Sequence, residues 1–436
     1  MLRKLQLFAA AAVVSVVLAA CTNAAEDLQE NRWEADRLSG IVTTTQAEDW
    51  ESVTADDLFQ ARTLYIGNAS GTGTLIQMVK SYFHIGEAST MELQTTTPPY
   101  GLMLHFKKKP DLLAMQKASA VLIGLIDNCS SVSWDYPVDR DGNREACWVS
   151  QTLMGQMLNE GRYVKEYAES ADSVARLLSL TEEISEPLQP KARASSLDEA
   201  VSAAILEYSQ SVYREDEAAG EGHLILETQE KDDEVIVYAL TMYGSYQFQD
   251  GNFVKNSGSG AIPAVITLEE NPDGSLWWKW YQTPEDGNRY QDSIEALFPE
   301  SVWEACRKPD SQQLKTLKQQ EKSYAAAYLK TIGRQAEIGE YRDFSHPLLT
   351  EAGVSIEVSN KLLDCGRDDP DSPAAYAPRW IGNIERLENG VRYVYACDYD
   401  AEQQEITYTK KEYATGKIME QVVFDAVSGD GKEIQT

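Results

Sequence analysis

HLILETQEKDDEVIVYALTMYGSYQFQDGNFVKN, residues 223–256, decides the fold class. β-Branched and aromatic residues crowd it, and Asp250-Gly251 breaks it where a two-residue hairpin turn belongs. It reads as strands over 223–228, 234–243, 246–249 and 252–256, with further strands over 261–269 and 275–282. Asn271-Pro272-Asp273-Gly274 supplies a second turn. Upstream, Ser196 and Glu199 have capping-box spacing, and Val201, Ala204, Ile205 and Tyr208 fall on one helical face. Downstream, helices are predicted at about 291–306, 311–332 and 358–364. Strands follow at 381–387 and 391–399, joined by Asn389-Gly390, then at 405–408 and 417–425. Runs of strands stand apart from runs of helices, so the class is α+β.

Working towards the N-terminus, 166–195 begins helical and then carries Pro187, Pro190 and small residues, which predicts a linker. The span 48–165 reads as a first α+β domain. It has a glycine-rich loop at 67–73, a helix from Leu75, strands at 91–97, 102–106 and 131–136, and a strongly apolar helix over 110–126. Residues 196–436 form a second α+β region, divisible near 307/308.

The first residues give an address. Arg3 and Lys4 precede the apolar run 5–17, which ends in Leu18-Ala19-Ala20-Cys21. This order has the form of a lipoprotein signal, with Cys21 as the lipidation site and 22–47 as a tether. The expected location is the extracytoplasmic face of the cell membrane, held there by the N-terminal lipid. The chain of 436 residues carries 39 Lys+Arg against 69 Asp+Glu, a net charge of -30. That charge argues against a nucleic-acid partner, which needs clustered cations.

In an oxidising compartment, Cys129 with Cys147 and Cys365 with Cys397 are candidate disulfides, leaving Cys306 over. No zinc motif, G-x-S-x-G elbow or S-x-x-K is present, so no catalytic residue, metal ligand or cofactor is assigned. Residues 139–145 and 368–371 have the look of calcium loops, although two arginines interrupt the first and its D-G-N is turn chemistry. The run Leu276-Trp277-Trp278-Lys279-Trp280-Tyr281 alternates faces on a strand. If one face is open, Trp277 and Tyr281 are candidate ligand-binding residues that would stack on sugar rings; cross-strand packing in a core is the plainer reading.

The stretches 57–68 (DLFQARTLYIGN), 91–95, 99–102 and 122–128 resemble an extracellular domain of unknown function found in Firmicutes. Some proteins bearing it are BlaR-like antirepressor membrane metallopeptidases. Parts of the second region, including 198–206, 239–243, 324–333 and 388–399, resemble the extracellular tail of the same proteins. Those relatives carry membrane helices and an H-E-x-x-H protease, and this chain has neither. The resemblance implies the sensing half without the protease, with a membrane sensor or peptidase as partner. The expectation is therefore a non-enzymatic sensory or regulatory lipoprotein, the alternative being a glycan- or solute-binding lipoprotein.

Overall fold

The computed structural model describes residues 53–86, 88–158, 163–214, 216–231, 234–369 and 371–432, and the backbone of Val14–Val16. The signal segment, Cys21 and the tether otherwise lie outside the described residues. The fold is α+β. It divides into two units: Met1–Ser196 with Asp232–Glu234 and Leu268–Glu285, and Leu197–Lys231 with Val235–Thr267 and Asp286–Thr436. Among the described residues, no helix is long and apolar enough to cross a membrane.

The first unit opens with α1 (Ala55–Gln60), capped by Thr54 and Asp57 in a reciprocal box. Helix α2 (Ala69–Tyr82) starts six residues earlier than the glycine-loop reading predicts. Asn68 caps it by accepting the Gly71 amide at 3.2 Å, and burial of Leu75, Ile76, Met78 and Val79 outweighs the poor helix propensity of Gly71 and Gly73. Strands β1 (Ala88–Gln94) and β2 (Tyr100–Phe106) pair antiparallel. Helix α3 (Leu112–Leu125), capped by Asp111, then crosses over so that β3 (Cys129–Pro137) can lie parallel to β2. Strand β4 (Arg144–Ser150), which the sequence reading missed, pairs antiparallel with β3. Val14–Val16 runs antiparallel to β1, with Val16 opposite Met91.

Helix α3 ends on a half-buried cation. The Lys165 ammonium donates to the carbonyls of Ile123, Ile126 (2.5 Å) and Cys129 (2.7 Å), satisfying oxygens the helix leaves open. Helices α4 (Gln151–Leu158) and α5 (Ala171–Thr181) complete the unit. Val174 and Leu177 of α5 are fully buried in the same core as Leu122 and Ile123 of α3. The expected linker over 166–195 is therefore part of a folded core. The helical start of that span is α5 itself, an amphipathic helix capped by Ser170 whose apolar face is buried.

The second unit begins with α6 (Leu197–Gln210), β5 (Ala218–Lys231), β6 (Glu234–Gln249), β7 (Asn252–Gly258) and β8 (Ile262–Glu270). Strand β6 is continuous through Gly244 and Ser245, where the sequence suggested a break. Asp250 and Gly251 have φ of 45° and 78°, as the expected primed turn requires. The chain re-enters the first unit at Leu268, so β9 (Leu276–Gln282) belongs there. It is fixed by paired bonds between Leu276 and Ala194, and by the Asn271 side chain, which accepts the Arg144 amide at 2.8 Å. Two chain segments thus cross the boundary expected at 195/196.

The second unit resumes with α7 (Tyr290–Leu297), α8 (Trp303–Arg307), α9 (Ser311–Thr331), β10 (Ile338–Glu340), α10 (Ile356–Asp368) and α11 (Pro373–Tyr376). It ends in the meander β11 (Gly382–Glu388), β12 (Val391–Asp400), β13 (Glu405–Glu412) and β14 (Ile418–Asp425), with the short β15 (Gly431–Lys432) beside β14. Asn389 and Gly390, at φ of 50° and 79°, close the β11–β12 hairpin as expected. Strand β5 lies directly on α9. A Cβ at Gly222 would stand 2.2 Å from the Leu317 carbonyl oxygen, so glycine is what permits the approach.

Candidate functional site

One face of the first unit's sheet carries charge in its interior. Alternation along the strands puts Glu92 (β1), His105 (β2), Asp135 (β3) and Arg144 (β4) on that face, with His105 directly opposite Asp135. Strand β9 covers it, and Trp277 and Trp280 pack there with Met103 and Ala146. Lys279 lies within 2.9 Å of Glu92, 2.7 Å of Glu234 and 3.3 Å of Glu269.

The imidazole of His105 sits between two carboxylates. Nδ1 is 3.0 Å from Asp135 and Nε2 is 3.0 Å from Glu92. With Asp135 and Glu92 ionised, both contacts are hydrogen bonds only if both nitrogens carry protons, which favours the imidazolium. Burial works against that charge, but the hydrogen bonds and charges of Asp135 and Glu92 outweigh it and push the pKa up to about 9. Asp135 is fully buried and also takes a two-pronged contact from Arg144, Nε at 3.0 Å and Nη2 at 2.7 Å. Burial acts to raise the Asp135 and Glu92 carboxyls, yet their cationic neighbours hold both below the usual range. Glu269 goes the other way: burial raises it despite Lys279. With every group charged, four carboxylates face three cations.

A second cluster of the same kind lies in the second unit. His223 places Nδ1 3.0 Å from Glu221 and Nε2 3.1 Å from Asp198. Glu221 also accepts the hydroxyls of Ser202 (2.8 Å) and Tyr324 (2.9 Å), tying α6, β5 and α9 together. Burial opposes protonation of His223, and the two carboxylates raise its pKa nonetheless. In both clusters each ring nitrogen is already committed to a carboxylate, so the arrangement stores charge and fastens strands and helices. Sequence reading passed over both histidines because neither lies at metal-ligand spacing. The only signal was positional: Glu92, His105 and Asp135 each fall on the inward face of a strand.

The residues singled out from sequence are placed differently. Trp277 and Tyr281 are 1% and 7% exposed, so no aromatic ladder faces outward. Both faces of β9 are covered, and the glycan-stacking reading is corrected to core packing. The disulfide reading is corrected as well: Cys129, Cys147, Cys306, Cys365 and Cys397 are all free thiols. Cys147 stands opposite Trp134, five residues beyond Cys129 along β3, about 17 Å at ~3.3 Å per residue. A bridge needs Cα atoms within about 7 Å. Cys397 on β12 hydrogen-bonds Tyr408, which also feels the Cys365 thiol on α10. Burial pushes the Cys129, Cys147 and Cys306 thiols up to about 11, and Cys397 to about 12.

The calcium-like loop at 139–145 is a turn. Asp139 spends its oxygens on the amides of Asp141 and Asn143 and on the Asn143 side chain, and Arg144 is occupied by Asp135. At 368–371, the Asp369 carboxylate accepts the Asp371 amide at 3.2 Å.

Residues 58–146 match the DUF4825 family, a domain of unknown function. The match runs from α1 into β4 and contains Glu92, His105, Asp135 and Arg144. Lys279, Glu234 and Glu269, which close the cluster, lie outside it. No curated protein and no solved structure matches the chain.

Proposed function

We propose that this chain is a lipid-anchored extracytoplasmic protein that works by binding, as a non-enzymatic sensory or regulatory module for a membrane partner. The observation that carries the reading is the ordered run of Arg3 and Lys4, the apolar stretch 5–17, and Leu18-Ala19-Ala20-Cys21. The DUF4825 match over 58–146 supports it, as an extracellular-type module without an assigned reaction. Binding is favoured over turnover because the imidazoles of His105 and His223 have both nitrogens engaged by carboxylates. The resemblance to BlaR-like proteins suggests a membrane sensor or peptidase as the partner.

Chemical crosslinking on intact membranes, followed by capture and mass spectrometry, tests this reading with Cys21→Ala as the control. The expected result is one enriched membrane protein that disappears when Cys21→Ala releases the chain. Retention of that variant in the membrane fraction would remove the anchor. A second reading, a solute-binding lipoprotein, is favoured by one feature: a 310 Å³ cleft in the second unit.

A further inference from the structure

The cleft lies between the 348–350 loop, one side of α10 and the α11 segment through Arg379. Leu349, Leu362 and Tyr408 form its floor, and all three are buried. Its existence depends on Gly366, where a Cβ would stand 2.8 Å from the Ala374 carbonyl oxygen; glycine lets α10 and α11 close on one another. The rim is polar. Ser359, Asn360 and Arg379 line it, and their side chains make no hydrogen bond or ion pair among the described residues. Arg367, by contrast, is occupied by Asp364 at 3.3 Å.

We propose that this cleft binds a short zwitterionic peptide with an apolar side chain, its free carboxylate on Arg379. The proposal rests on reading the chain as a binding module, and supplies that module with a site. The size fits: small-molecule sites start at roughly 300 Å³, which selects a ligand of two or three residues. Apolar floor and uncommitted amide and hydroxyl groups match a side chain plus a peptide backbone. A fatty carboxylate would satisfy Arg379 but leave the half-buried Ser359 hydroxyl without a partner. It would also bring net negative charge towards Asp368 at the end of α10 and Asp369 just beyond it, whereas a zwitterion brings none.

Isothermal titration calorimetry on the full chain tests this with leucyl-alanine and its C-terminal amide as probes. Saturable binding of the dipeptide is expected, weakened roughly tenfold or more by amidation and by Arg379→Gln, since each removes a charge-assisted contact. Arg379 is exposed, so its replacement should leave the melting curve unchanged. No saturable binding of leucyl-alanine overturns the proposal, as does binding that persists within twofold in Arg379→Gln or with the amide. Partner capture reads the functional proposal separately. Capture without dipeptide binding removes this site alone; dipeptide binding without capture supports the site and removes the membrane partner.

Discussion

The charge on His105 can be tested by its pH signature. Its pKa rises from 6.5 to about 9 on folding. A group whose pKa is raised in the folded state contributes stability that is full below the unfolded pKa and lost as pH climbs through the folded one. The window therefore runs from about 6.5 to 9. At 1.36 kcal/mol per unit, the contribution is roughly 3 kcal/mol. Lys165 acts in the opposite sense: burial lowers its pKa to about 8, so the folded state gains stability as pH rises above that value. Comparing wild type with His105→Gln cancels Lys165, because both proteins keep it. The readout is urea unfolding followed by tryptophan fluorescence, which mainly reports the first unit. Among the described residues, Trp134, Trp148, Trp277, Trp278 and Trp280 lie there, against Trp303 and Trp380 in the second. At pH 6, His105→Gln should be less stable by roughly 3 kcal/mol, and at pH 10 the two curves should nearly meet. A difference that stays constant from pH 6 to 10 would refute the imidazolium clamp.

Three further outcomes are expected. Lys165→Met leaves buried carbonyls of Ile123, Ile126 and Cys129 without their donor and should cost about 2–3 kcal/mol in the same unfolding assay. Trp277→Ala should destabilise the first unit by about 3–5 kcal/mol through cavity formation, seen as a lower melting temperature; an unchanged melt would contradict its burial. In denaturant without reductant, Cys129, Cys147, Cys306, Cys365 and Cys397 should all react with a thiol reagent, and a shortfall of two would restore a bridge.

How much of the protein was legible in the sequence follows from the range of the forces involved. Asp250-Gly251 and Asn389-Gly390 announce their hairpins because a left-handed pair of residues is a local steric requirement. The apolar helix predicted over 110–126 appears as α3 because Asp111 and the buried residues behind it lie within a few turns of one another. The α+β class follows from the same local signals, added along the chain. Sequence order alone likewise carries the lipoprotein expectation centred on Cys21.

The candidate site is the opposite case. His105 lies 13 residues from Glu92 and 30 from Asp135, and Lys279 is 187 residues from Glu92. No periodicity links positions so far apart. They meet because the chain leaves the first unit, forms part of the second and returns with β9 to cover a half-buried sheet. That return also decides the fate of Trp277 and Tyr281, whose alternation makes a covered face the plainer reading but is compatible with an open one. Local residues determined the turns, caps and strands. Only the tertiary structure decided which charges were buried together, because a carboxylate taken out of water needs a cation from wherever in the chain one can be brought.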